Sequence, residues 1–330
     1  MRRDAAFSTP RVRAHASHSS WPPVLHSPVL LSGANSLEAE SARTALLESW
    51  RARGVVVLRA GSDAAKRATP NDLVSLSKEF GEVEMNPGVK KQFLWPGIPQ
   101  VQVLGNVRRE DGEPRALFQS CQRLDHVKYD PIKRAPVWHT DQLFRNPQPR
   151  GSLLMCIAGP PVGGGTAFAS TELSESNLPQ ELIDSLRDKV LVMSYAHHNA
   201  ACKRSTPSYP LLTAEQRAKY PPITRPLITR AQANDEEVLN CFNSSVMAVL
   251  PSTAPPLQPD EMEHYETTGE KHDSVEELYS TVLPLLTSQS YVHQWEPGDV
   301  VIWDNERCVH AATWYDSEKY AREMWRTTFR

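Results

Sequence analysis

Two short segments far apart in the chain constrain its fold more than anything else in it. The first is Val137-Trp138-His139-Thr140-Asp141. The second is Pro297-Gly298-Asp299-Val300-Val301-Ile302-Trp303-Asp304-Asn305, followed by His310. His139 and Asp141 are two apart, so on an extended strand both point to one face. Pro297-Gly298-Asp299 reads as a turn, Val300 to Trp303 as a buried strand and Asp304-Asn305 as the next turn. His310 then sits just past a core strand, where a rigid scaffold can aim it. Two imidazoles and one carboxylate on one face of a ferrous ion leave three positions open, which suits a site that binds both a cosubstrate and O₂. Each segment alone is a weak signal. HxD occurs often by chance, and a His after a strand is commonly a packed or surface residue.

A third segment adds weight. Arg322 and Arg326 lie four apart in Tyr320-Ala321-Arg322-Glu323-Met324-Trp325-Arg326-Thr327-Thr328-Phe329. Read as a strand, it places both guanidiniums on one face with Met324 and Thr328. The planar fork of arginine donates two parallel hydrogen bonds to a carboxylate, so it is a natural anchor for a carboxylate-bearing cosubstrate beside a metal. In isolation the segment reads better as an edge strand with solvated arginines.

The order HxD, then Gly163-Gly164-Gly165-Thr166, then GDxxIWDN, then a distal His, then Arg-x-x-x-Arg resembles the TauD/TfdA family of Fe(II)/2-oxoglutarate-dependent dioxygenases. Upstream, Gly54-Val55-Val56-Val57-Leu58-Arg59 and Phe80-Gly81-Glu82 extend the likeness, which runs from about Gly54 to the C-terminus. The resemblance implies an α+β, mainly β fold: a double-stranded β-helix (jelly-roll) core with flanking helices and a long lid insert. It implies His139, Asp141 and His310 as iron ligands and Thr166 and Arg322 as anchors for the distal carboxylate of 2-oxoglutarate. Arg326 corresponds to the residue that faces the substrate anion in sulfonate-cleaving members. His310 and Arg322 stand one residue further apart than in the taurine enzymes, which leaves the division of labour between the two arginines open.

The taurine half of the pattern departs from the family. Asn86 stands where taurine-specific members carry a His, and Ala135 where they carry an Asn four residues before the first ligand. The expected substrate is therefore a small anionic organic molecule other than taurine, met by Arg326, Asn86, Asn106 and a polar lid. The expected reaction consumes 2-oxoglutarate and O₂ and releases succinate and CO₂, with hydroxylation as the outcome. Desaturation or cyclisation at the same iron site, and a non-catalytic jelly-roll binding protein, are the alternatives. A zinc hydrolase on the same ligands lacks an evident general base.

Composition bounds the rest. A chain of 330 residues, 40% hydrophobic and 23% charged with net charge −3, can bury one large core. One domain over residues 36–330 is expected, with a homo-oligomer open. There is no basic excess to draw nucleic acid and no apolar run long enough to span a membrane. Cys121, Cys156, Cys202, Cys241 and Cys308 are scattered and form no CxxC pair, which argues against structural zinc and for a reducing compartment such as the cytoplasm. Residues 1–35 read as a disordered tail, or as an organelle transit segment, because Met1 to Ser20 is rich in Arg, Ser and Ala with Asp4 as its one acid.

Periodicity predicts helices over Ser36–Arg53, from Pro70 through Phe80, over Pro179–Lys189 and over Ser274–Ser288. It predicts strands at 55–58, 101–104 and 153–158. The polar, proline-interrupted stretch 194–222 is expected to be the lid, a long insert over the barrel mouth.

Overall fold

Strand Asp299–Asp304 shows how the layers are built. All six residues are buried, and alternate side chains enter different cores. Val300 and Ile302 pack with Trp50, Leu73 and Leu76 of two helices. Val301 and Trp303 pack with Phe168 and Cys308 of a second sheet. The structure, a computed structural model, describes residues 21–31, 36–85, 89, 91–116, 138–205 and 209–330.

The main sheet has seven strands in the order Val24–His26, Val55–Arg59, Asp299–Asp304, Gly151–Ala158, Glu323–Phe329, Ile98–Gly105 and Leu94–Trp95. Only the first pair is parallel. The facing sheet has the order Tyr291–His293, Thr166–Ser170, Cys308–Ala312 and is antiparallel. Its far side, with Ala167, Ala169, Val309 and Ala311, packs against Val275, Leu278, Tyr279 and Val282 of helix Asp273–Leu286. A third sheet of Val246–Pro251, Lys189–Met193 and Ile223–Pro226 completes a sheet-rich α+β fold.

Local signals set the helix ends. The Ser36 side chain accepts a hydrogen bond from Ala39 N and starts helix Leu37–Arg53. Gly54, at φ 69°, ends it. Arg307 then donates to the carbonyls of Arg51 at 2.7 Å and Ala52 at 3.1 Å, two of the groups a helix terminus leaves without partners. Thr69 and Asp72 form a capping box at the start of Pro70–Lys78.

Several expectations are revised. The helix predicted to reach Phe80 ends at Lys78, and the one predicted over Pro179–Lys189 covers Gln180–Leu186, with Lys189 opening a strand. Residues 24–26, expected in a tail, add an edge strand to the main sheet, and Leu31 is buried. His310, expected just past the Val300–Trp303 strand, lies past it within the next strand, Cys308–Ala312. His139 makes a single bridge with His310 instead of belonging to a regular strand.

The stretch 194–222 is not structureless. Helices Tyr195–Ser205 and Ala214–Lys219 occupy most of it. Ser194 Oγ accepts from the backbone N–H of Ala196 and His197, and Thr213 forms a capping box with Gln216. Those caps overcome the prolines, which fall between and after the helices. Among the described residues, no helix is long and apolar enough to cross a membrane.

Candidate functional site

The inner face of the small sheet carries the first ligand candidate. His310 pairs with Phe168, and two positions along Ala312 pairs with Thr166. Paired residues project to the same face, so Thr166 and His310 stand on one surface about 7 Å apart along the strands. His310 sits between Trp303 and Phe168, with ring centroids at 4.8 and 6.0 Å. Its backbone exchanges two 2.9 Å hydrogen bonds with His139, which draws the distant HxD segment onto this strand.

Asp141 completes the group. Its Oδ1 lies 3.8 Å from His139 Nε2 and 3.8 Å from His310 Nε2. One ligating atom from each of the three residues lies within 4.8 Å of the others, the arrangement that can hold a metal ion. Two bonds of about 2.1 Å end to end span about 4.2 Å, so each His–Asp gap is within reach of one shared cation.

The protonation states suit that use. Burial, then the charge of His139, push His310 down to about 3 against the opposing pull of Asp141. Its imidazole is therefore neutral across the physiological range and needs no proton removed before it coordinates. Burial alone would raise the Asp141 carboxyl. The charges of Arg326, His310 and His139, with the Arg326 hydrogen bond, outweigh it and hold Asp141 well below the usual carboxylate range. Two imidazoles and one ionised carboxylate form a donor set that fits a non-haem ferrous ion.

Arg326 is placed by Asp141. Its Nη2 lies 2.6 Å from Asp141 Oδ2 and donates to Ser152 Oγ at 3.1 Å. Ser152 Oγ also donates to Oδ2, at 3.3 Å. One carboxylate oxygen is thus engaged by protein donors while the other faces the imidazoles. A second buried arginine calls for either an acidic side chain or a substrate anion, and here an acidic side chain of the protein engages Arg326. Its Nε is buried with no hydrogen-bond partner among the described residues.

Arg322 stands immediately before the strand that carries Arg326. Its Nε donates to Gly164 O at 3.3 Å, so its guanidinium lies beside the Gly163–Thr166 segment. Asn106 controls this approach. Its amide donates to Ser317 O at 2.8 Å and Tyr320 O at 2.9 Å, and its Oδ1 accepts from Arg322 N at 2.7 Å. Gly105, at φ +131°, lets the backbones meet, since a Cβ there would lie 1.8 Å from Arg322 O. Asn106, expected to contact substrate, instead uses both ends of its amide to hold the 317–322 loop. Asn86, Ala135 and Cys121 lie outside the described residues.

Sequence reasoning missed the wall beside the metal ligands. Phe144, three residues after Asp141, stacks on Tyr195 at 4.5 Å and on His198 at 6.2 Å, and Tyr220 meets Tyr195 edge-on at 5.3 Å. His198 Nδ1 is 2.5 Å from Ser244 Oγ, and Asn243 Nδ2 donates to Thr140 O at 2.6 Å. Burial, then the His139 charge, push His198 down to about 4. The 194–222 segment therefore packs directly beside the HxD turn. The signal available was Tyr195, His198 and Cys202 at helical spacing.

Comparison with known proteins agrees with this geometry. The family profile described as "Taurine catabolism dioxygenase TauD, TfdA family" matches residues 23–328. An alpha-ketoglutarate-dependent 2,4-dichlorophenoxyacetate dioxygenase of Cupriavidus pinatubonensis is 27% identical over 198 residues, 58% of this chain and 59% of that relative. The chain thus matches under two thirds of that relative's length. Pentalenolactone F synthase of Streptomyces avermitilis is 24% identical over 287 residues, covering 83% of this chain and 81% of the relative. A solved taurine dioxygenase from Burkholderia xenovorans superposes with a TM-score of 0.54 at 20% identity, over 91% of this chain and 82% of that one, and so shares the fold. With its profile matched from residue 23 almost to the C-terminus, this chain belongs to the TauD/TfdA dioxygenase family.

Proposed function

We propose that the protein is an Fe(II)- and 2-oxoglutarate-dependent dioxygenase that hydroxylates a small anionic organic substrate and releases succinate and CO₂. The observation that carries the reading is the common face. His310 and Thr166 stand about two residue repeats apart on one sheet surface, with His139 and Asp141 beside the first and Arg322, bonded to Gly164 O, close to the segment that carries the second. A five-carbon 2-oxo diacid has a chelating end for the metal and a carboxylate for the far end.

Each residue then has a definite task. His139 Nε2, His310 Nε2 and Asp141 Oδ1 would hold the metal. Arg326 and Ser152 hold Asp141 Oδ2, which favours one-oxygen coordination and keeps positions open. Arg322 and Thr166 would bind the far carboxylate, with Asn106 fixing the backbone of Arg322. When bound, iron supplies activation of O₂ coupled to decarboxylation of the 2-oxo acid and removal of hydrogen from a substrate carbon. The protein orients the partners and excludes water. The aromatic wall of Phe144, Tyr195 and Tyr220 supplies an apolar side to the site.

The test is O₂ uptake and succinate release with Fe(II), 2-oxoglutarate and a panel of small carboxylates, sulfonates and sulfate esters. Succinate formation that requires Fe(II), 2-oxoglutarate and O₂ together is the expected result. Turnover supported equally by Zn(II) without 2-oxoglutarate would overturn the proposal.

A further inference from the structure

We infer that Trp295 is a positioning residue that makes the Thr166 hydroxyl a committed donor toward the far carboxylate of the 2-oxo acid; this rests on the function proposed above. Trp295 Nε1 donates to Thr166 Oγ1 at 3.0 Å, and both residues are buried. An indole N–H can only donate, so the threonine oxygen has to accept. A hydroxyl has one proton and two lone pairs. With one lone pair turned to the indole, the proton of Thr166 is directed away from Trp295 and remains available to another acceptor. A hydroxyl without that constraint could rotate a lone pair toward an incoming carboxylate, which is repulsive. The indole removes that option before the ligand arrives, and preorganised donors lose less on binding.

Trp295 is itself held in place. Its ring meets His293 edge-on at 4.5 Å, with planes at 88°. His293 Nε2 lies 3.0 Å from Asp299 Oδ2, and its Nδ1 lies 3.1 Å from Tyr291 Oη. Asp299 also accepts from Glu296 N at 3.1 Å and lies 3.6 Å from Arg59. His293 pairs directly with Thr166 across the small sheet. The turn beyond Trp295 is tight, since a Cβ on Gly298 would lie 2.1 Å from Gly61 O. Arg59, Asp299 and His293 therefore brace the indole against the threonine that it orients. Were the indole N–H merely finding a partner on burial, the effect of Trp295 would not pass through the Thr166 hydroxyl to the ligand.

The experiment measures binding of 2-oxoglutarate to the Mn(II)-loaded protein without O₂ by calorimetry, together with kcat and KM for the Fe(II) enzyme. Trp295→Phe deletes the N–H. Should that variant fold poorly, the benzothiophene analogue of tryptophan at position 295 keeps the bicyclic shape and deletes only the donor. Loss of one net hydrogen bond predicts a Kd for 2-oxoglutarate raised about tenfold, with kcat at saturation within about twofold. Binding of 2-oxovalerate, which lacks the far carboxylate, should not change. In a Thr166→Val background the same Trp295 substitution should add less than about twofold, because the hydroxyl it orients is gone. The inference is overturned by an unchanged Kd in both Trp295 variants. It is equally overturned by an effect that persists undiminished in the Thr166→Val background. If Thr166→Val and Arg322→Ala themselves leave 2-oxoglutarate binding unchanged, it is the functional reading that fails.

Discussion

Replacing Arg326 by Met tests the electrostatics of the site without any turnover. Arg326 and Asp141 are 9% and 5% exposed and lie 2.6 Å apart. Met keeps the apolar stem and deletes the charge, leaving a buried carboxylate with the Ser152 hydroxyl and two imidazoles. Breaking a buried ion pair from one side costs about 3–5 kcal/mol. At about 2.1 cal/mol/K per residue, the 330-residue chain has an unfolding entropy near 0.7 kcal/mol/K, so the metal-free variant should melt about 4–7 °C lower.

The pH dependence has a definite sign. In the wild type Asp141 is held below its ordinary range, so its pairing stabilises the fold at every pH above about 4 and is lost only on strong acidification. Without Arg326, burial dominates, and the cost of the ionised carboxyl grows as pH rises. The gap between variant and wild type should widen from pH 5 to pH 8. A divalent cation supplies the missing countercharge, so Mn(II) should raise the melting temperature of Arg326→Met more than that of the wild type. Pairing the change with Asp141→Asn should recover much of the loss, giving a coupling of several kcal/mol in a double-mutant cycle. Additive melting temperatures, or a metal-free variant as stable as wild type at pH 8, would refute the reasoning.

Four other outcomes follow from the same geometry. His139→Ala should abolish both turnover and the thermal shift on adding Mn(II) while leaving the far-ultraviolet spectrum native; a retained metal-induced shift would remove His139 from the ligand set. Arg322→Ala should weaken 2-oxoglutarate binding by about 2–5 kcal/mol, at least thirtyfold in Kd by calorimetry. Unchanged binding would move the anchor elsewhere. Burial pushes the Asp304 carboxyl up to about 7, so wild-type stability should fall as pH climbs from about 4 to 7, with a ceiling of about 4 kcal/mol. Asp304→Asn should flatten that part of the pH–Tm profile, and an identical slope in both proteins would count against it. Taurine should be a poor substrate if, as the sequence alone suggests, Asn86 and Ala135 stand where the taurine enzymes carry a His and an Asn; efficient, saturable sulfite release would show otherwise.

The parts of the site legible in the sequence are those that depend on strand periodicity and turn chemistry. The apolar run Val300 to Trp303 between two turn signals announced a core strand, and it is one. Thr166 and Arg322 were also brought together by the resemblance, and Arg322 does meet the Gly163–Thr166 segment. Alternation states which face a side chain occupies but not what approaches that face from across the barrel. Alternation along Glu323–Phe329 sets the face that Arg326 occupies. Its partner, Asp141, comes from a segment bonded to the opposite sheet, so no local rule could choose between a protein carboxylate and a substrate anion.

Asn106 illustrates the same limit. Its hydrogen bonds span more than two hundred positions to Ser317, Tyr320 and Arg322, and an amide just past a strand end carries no sign of so distant a loop. The helices in 194–222 are a different case. Thr213-x-x-Gln216 is a capping-box pattern, and Ser194 directly precedes the first helix, signals that the neighbouring prolines mask. Proline disrupts a helix where its ring and missing N–H fall in the interior, whereas at a helix start it is tolerated, as at Pro70 and Pro259, and between helices it costs nothing. A stretch with well-spaced prolines and two caps is therefore a pair of short helices, and here that pair sets Tyr195 and His198 against the turn that carries Asp141.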